Sequence, residues 1–224
     1  MLHSRHFLTL RTRNPIQRLT FTTTTLFKMR VPYAPTTPPD AAAEPIYSRI
    51  AARRAPRPLI PLDLALLHNP AVADGWNSFI GAIRTQTSVP ETLKELAISR
   101  IAVLNKAVHE WDIHAALAVK AGVERDGMKT VFDTKLHKKG DEVGKEEGGG
   151  LTGEQWAVLR YTDQMTVGVE VDDGIAEALK AFLSDKQVVE LTATIAAYNC
   201  VSRFLVALDV GECNGRAMKG VDEL

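Results

Sequence analysis

The chain reads as an all-α fold, and three observations carry that expectation. Apolar residues recur at three- and four-residue intervals along most of the sequence beyond residue 40. Strand-like alternation is essentially missing there. Proline and glycine stand where helices begin and end: Pro70 and Pro90 at first-turn positions, Gly122 directly after Ala121. The expected architecture is a helical bundle, residues 41–224, behind a disordered N-terminal leader, residues 1–40, that ends in a Pro-rich linker.

The leader has no acidic residue before Asp40, and its first 28 residues mix arginine, threonine and alternating apolar side chains. That composition suits a mitochondrial transit peptide. A true start at Met29 with an upstream stretch of no function fits the same residues, so both readings stay open. The first helical pattern begins near Glu44 and runs through the basic AARRAPRP segment. Further helices are expected at Ile60 to Leu67, Pro70 to Arg84, Pro90 to Leu104, Ala107 to Ala121, Thr152 to Thr166, Asp172 to Leu183 and Asp185 to Leu208. Between Asp133 and Gly150 the text becomes charged and glycine-rich, which predicts a mobile loop because little surface there can be buried. ELAISRIAVLN at Glu95 to Asn105 also echoes ELTATIAAYN at Glu190 to Asn199, as two helices with similar packing duties would.

Composition narrows the function. The 224 residues contain 27 basic and 27 acidic side chains, so no net field draws the molecule to nucleic acid or to an acidic membrane. A small neutral or anionic ligand is the expected partner. Cys200 and Cys213 are too few for a disulfide framework and lack the spacing of a zinc site. No uninterrupted apolar run approaches the roughly 20 residues of a membrane span. The expected location is cytoplasmic, or mitochondrial if residues 1–28 are a transit peptide.

On a helical wheel, LKELAISRIAVL from Leu93 to Leu104 is apolar around most of its circumference, which predicts burial on nearly all sides. Its polar residues are therefore informative. Glu95 and Ser99 make a narrow polar stripe, and Arg100 falls in the apolar arc. Buried charge is costly unless paired, so Glu95 and Arg100 each require a partner inside the fold or the oligomer. For Arg100, a structural ion pair and a ligand contact both satisfy that requirement.

The next helix, from Ala107 to Ala121, stacks Glu110 and His114 at i and i+4. Their wheel neighbours are Ala107, Trp111, Leu117, Ala118 and Ala121, an apolar face, whereas His109, Asp112 and Lys120 lie on the solvent-compatible side. The pair therefore points inward, beside alanines that leave room for a small molecule. A carboxylate and an imidazole with restricted solvent acquire displaced pKa values and become proton donors and acceptors. One Glu and one His supply two metal ligands, and no second HxxxH or CxxC completes four, so no metal is expected.

ELAISRIAVLN followed by HEWDIHAALAVKAGV resembles the carboxymuconolactone decarboxylase and alkyl hydroperoxidase D-like family, over roughly Pro70 to Gly211. The resemblance implies an alkyl hydroperoxidase D-like helical unit and a homo-oligomer, trimer or hexamer. In the hydroperoxidase branch a relay glutamate precedes a CxxC pair, with a histidine four residues past the second cysteine. Those positions fall here on Glu95, on Ala107 and Glu110, and on His114. Without an attacking and a resolving thiol in the motif, that peroxide chemistry has no carrier. The EWxxH box of Glu110, Trp111 and His114 instead resembles the decarboxylase branch, which acts on a carboxylated lactone with neither metal nor prosthetic group. His109 departs from the aromatic residue common at its position, which leaves the substrate open.

The implied reading is a cofactor-independent acid–base enzyme, a carbon–carbon lyase or a related isomerase, hydrolase or cyclase. Glu95, Glu110 and His114 are the candidate catalytic residues, and Arg100 and Trp111 the candidate substrate contacts. His114 would donate the proton, Glu110 would set its tautomer, and Glu95 would act as a second relay carboxylate. The competing readings are a peroxidase with an unusual thiol and a catalytically silent ligand-binding scaffold.

Overall fold

A computed structural model describes residues 29–134 and 149–224. Among the described residues there are helices and turns and no strand. The order is α1 (Glu44–Arg54), α2 (Pro61–Leu66), α3 (Pro70–Thr85), α4 (Glu91–Leu104), α5 (Val108–Lys120), α6 (Arg125–Phe132), α7 (Gly153–Val167), α8 (Asp173–Lys180) and α9 (Asp185–Leu208), followed by a 3-10 turn at Val221–Glu223.

Local chemistry sets the helix ends. Pro70 opens α3, whose N-cap Asn69 accepts from the amides of Ala71 and Val72. Thr152 with Gln155, and Ser184 with Gln187, form capping boxes at α7 and α9. At the end of α5, Gly122 takes φ +106°, and the Val123 amide reaches back to the Ala118 carbonyl, closing the helix as its sequence position predicts. The first helix is shorter than expected. It stops at Arg54 because Ala55 precedes Pro56 and is driven to extended backbone, ψ 140°. Helix α6 is an addition to the expected set, seated by Met128 and Val131, both buried.

Helix α4 is the axis of the fold. Leu93 through Val103 are all buried, as the all-round apolar wheel requires, and α5, α6, α7 and α9 pack around it. Helix α9 is long and apolar enough to cross a membrane by length and composition. Here Leu191, Ile195, Tyr198, Val201 and Leu205 join the core beside α4 and α7. The sequence echo has a physical counterpart at this contact: Asn105, which ends the first segment, donates to Asn199, which ends the second, at 3.0 Å, and to Ser202 at 2.7 Å.

A smaller apolar cluster, including Tyr47, Ile50, Leu66 and Ala73, joins α1, α2 and α3. Residues 29–40, assigned to the leader, belong partly to the folded unit. Met29 is buried, its amide and the Tyr33 hydroxyl both bond Glu212 Oε1 at 3.1 Å, and Ala34 donates to the Leu64 carbonyl. The Pro-rich stretch is thus pinned at its start by the domain it was expected to hang from. Residues 1–28, and 135–148 of the expected loop, lie outside the described residues.

Candidate active site

The connection Asn105–Lys106–Ala107 folds α5 back along α4, bringing two polar positions face to face. Glu95 Oε2 lies 2.7 Å from His114 Nδ1. The other carboxylate oxygen, Oε1, accepts from Arg84 on α3. Arg84 also lies 3.6 Å from Glu91. Tyr198 of α9 closes a further side, its ring edge-on to the His114 ring with centroids 5.0 Å apart and an interplanar angle of 81°. Four helices, α3, α4, α5 and α9, therefore meet at the imidazole.

Burial and charge separate the two carboxyls. Glu95 is fully buried, which by itself pushes its carboxyl up, but the hydrogen bond and charge of His114, with Arg84 behind it, outweigh burial and hold the pKa at about 2. Glu110 is also buried, and neither of its oxygens has a hydrogen-bond partner. Desolvation raises its pKa well above the ordinary carboxyl value, so burial favours the neutral acid at Glu110 where His114 and Arg84 favour the anion at Glu95. Burial likewise pushes the Tyr198 phenol up and keeps it protonated.

The expected pairing is thereby redrawn. Glu110 was to set the tautomer of His114; Glu95 across the helix interface makes that hydrogen bond. The i, i+4 relation stacks two side chains on one face of α5, while α4 presents Glu95 to the ring nitrogen. Glu95, Glu110 and His114 are brought to one region. Arg100 and Trp111 are turned to other tasks.

Arg100 is fully buried and grips Asp163 of α7 through Nε at 2.5 Å and Nη2 at 3.0 Å, while Nη1 donates to the carbonyls of Val131 and Asp133. Its donors are committed to the fold. Trp111 is also fully buried, packs against Phe132 with ring centroids 5.0 Å apart and planes tilted by 50°, and donates its indole N–H to the Lys219 carbonyl at 3.0 Å. The face of α5 expected to meet solvent is partly covered by the same C-terminal segment. Gly211 packs beside His109, Arg216 lies 3.5 Å from Asp112, and desolvation lowers the His109 pKa.

Arg84 and Tyr198 escaped the sequence reading. Arg84 closes an otherwise ordinary amphipathic helix, and no spacing links it to Glu95. Tyr198 sits in the ELTATIAAYN echo, the one sequence signal that pointed to its helix. Neither cysteine joins the site: Cys200 is exposed on α9, and Cys213 is buried with its thiol 3.0 Å from the Gly211 carbonyl. Among the described residues, no group of three or more His, Cys, Asp or Glu side chains is placed to hold a metal ion.

Comparison with known proteins gives one family match and several likenesses of fold. The family model for the carboxymuconolactone decarboxylase family matches residues 70–135, the segment that carries Arg84, Glu95, Glu110 and His114. No curated protein matches the sequence. Among solved structures, a protein of unknown function from Agrobacterium tumefaciens, assigned there to antioxidant defence as an AhpD protein, shares 19% identity at a TM-score of 0.53, covering 64% of this chain and 91% of its own. An uncharacterized peroxidase-related protein from Silicibacter sp. TM1040 shares 13% at a TM-score of 0.60, over 84% of this chain and 95% of its own. The debrominase Bmp8 shares 16% at a TM-score of 0.56, over 82% and 89%. These likenesses are likenesses of fold. The chain is thus similar to the carboxymuconolactone decarboxylase family over residues 70–135, the segment that carries Glu95 and His114, within a fold like that of AhpD proteins.

Proposed function

We propose that the protein is a cofactor-independent acid–base enzyme acting on a small carboxylated lactone or a related enolisable acid, with loss of carbon dioxide as the favoured reaction. The observation that carries this reading is the buried Glu95–His114 hydrogen bond backed by Arg84. Decarboxylation of an unsaturated lactone acid leaves a delocalised enolate, which must be stabilised and then protonated at carbon. An anionic carboxylate on Nδ1 fixes which nitrogen faces the substrate and stabilises the imidazolium, so the ring both accepts and returns a proton. Arg84 keeps Glu95 charged through that cycle.

The motif positions used by thiol chemistry hold Ala107 and Glu110, which supports acid–base chemistry over peroxide reduction. The reading includes assembly of several copies, a trimer or hexamer. A panel of carboxylated lactones and β-keto acids, assayed for released carbon dioxide with wild type and His114→Ala, tests it. Release by wild type that falls about 100-fold in the variant is expected. Equal release by both, or none from any member of the panel, contradicts it.

A further inference from the structure

One helical turn from the Glu95–His114 pair, a second pair of polar groups lies in the same helix interface. Helices α4 and α5 run antiparallel about Asn105, so the register that sets Glu95 against His114 also sets Ser99, one turn later on α4, level with Glu110, one turn earlier on α5. Both are buried, Ser99 with 0% and Glu110 with 2% exposure. Both are orphaned: Ser99 Oγ and the two Glu110 oxygens have no hydrogen-bond partner. Elsewhere in the core Thr162 and Thr194 bond the carbonyls four residues back, so an idle hydroxyl in Ser99 is a departure from the fold's own habit.

A buried unpaired hydroxyl or carboxyl each costs on the order of 1–3 kcal/mol. Two such groups at one level, beside the candidate catalytic imidazole, are maintained against that cost by something that bonds them. The chemistry of the pair identifies it. A hydroxyl is a neutral donor, and so is a carboxyl whose burial favours its uncharged form. Neutral donors in a dry site suit an acceptor oxygen that gains negative charge during reaction, because they stabilise the anion without first being neutralised by it.

We propose that Ser99 and Glu110 form a two-donor oxyanion site that receives the carbonyl or enolate oxygen of the substrate. This rests on the acid–base reading of the neighbouring His114 and assigns the substrate a class: a compact acid whose reacting carbon is conjugated to a carbonyl oxygen. That oxygen goes to the Ser99–Glu110 level while the carbon faces the imidazole. His114, whose side chain is 12% exposed, is the member open to solvent and marks the side of entry. No bond is made to the protein; charge accumulates on the bound oxygen and returns to carbon with the proton.

The test uses 4-nitrophenol, whose phenolate absorbs in the visible and whose neutral form does not, titrated into full-length protein at a pH where the free probe is mostly neutral. The bound probe is expected to appear as phenolate. Ser99→Ala and Glu110→Leu are each expected to weaken its binding about tenfold or more, and Glu110→Gln, which keeps one neutral donor, to fall between. Circular dichroism establishes that each variant is folded, and Ser99→Ala, the mildest change, stands by itself should Glu110→Leu not fold. Absence of phenolate binding to wild type overturns the proposal, as does equal binding by wild type and folded variants, the result expected if a water bridges the pair. His114→Ala separates the two readings. Intact probe binding with no effect of that variant on turnover sinks the acid–base role alone, whereas donor-insensitive binding sinks the oxyanion site alone.

Discussion

Glu95 reaches across the α4–α5 interface to His114 Nδ1 at 2.7 Å, while Glu110, one turn below His114 on its own helix, bonds nothing. Two carboxyls of one site are thus driven in opposite directions by environment, one toward the anion by His114 and Arg84, the other toward the neutral acid by burial. This division of labour governs how the protein responds to pH and to substitution.

Glu95 ties stability to acid. Its folded pKa, about 2, lies below the ordinary value of 4.5, so the unfolded chain binds more protons between those limits. The stabilisation is present above pH 4.5 and is lost as pH falls toward 2. Urea unfolding measured across this window is expected to show a decline of at most about 3 kcal/mol from this residue, reduced in Glu95→Gln. An unchanged acid limb in that variant contradicts the assignment.

Glu110 has the opposite sign. Its folded pKa is raised, so its own contribution to stability is greatest below pH 4.5 and declines as pH rises from there toward the folded value. Glu110→Gln is expected to raise the thermal midpoint at pH 8 by more than at pH 4 while lowering turnover, the usual trade between a strained site and stability. A variant less stable than wild type at both pH values refutes this.

The Arg100–Asp163 pair is structural. Removing one member strands a buried charge, which typically costs about 3–5 kcal/mol. Asp163→Ala is expected to lower the unfolding free energy by that order in chemical denaturation. A change below about 1 kcal/mol, the size of an exposed pair, shows instead that Arg100 is spare and able to serve a ligand.

Thiols are expected to be dispensable. Cys200→Ala combined with Cys213→Ala leaves proton transfer at the wild-type rate if His114 carries the chemistry, because both cysteines lie outside the site. A loss of about 100-fold in a folded double variant, the scale of losing a group that takes part in the chemistry, revives the thiol reading.

Periodicity made most of the helices legible, and the wheels placed Glu95 and Arg100 inside because α4, apolar on all sides, has nowhere else to put them, and Glu110 inside because it lies on the apolar face of α5. Burial also required partners for Glu95 and Arg100 on α4. The partners' identity was hidden: Arg84 and Asp163 come from α3 and α7, Tyr198 reaches His114 from α9, and tertiary contact leaves no spacing in a single sequence. For the same reason the wheel assigned His109 and Asp112 to solvent; it could not foresee the C-terminal segment that lies over them. Helix α6 was missed because eight residues containing a glycine carry too short a pattern.

Hydrogen–deuterium exchange into an enolisable acid tests the Glu95–His114 site most directly, because it reports proton movement at carbon whichever bond the enzyme finally breaks. A panel of carboxylated lactones and keto acids is incubated in D2O with chelator-treated protein, and deuterium at the acidic carbon is followed by NMR. Exchange catalysed by wild type and slowed about 100-fold in both His114→Ala and Glu95→Gln is the predicted result. Exchange that proceeds equally in wild type and in folded His114→Ala contradicts it.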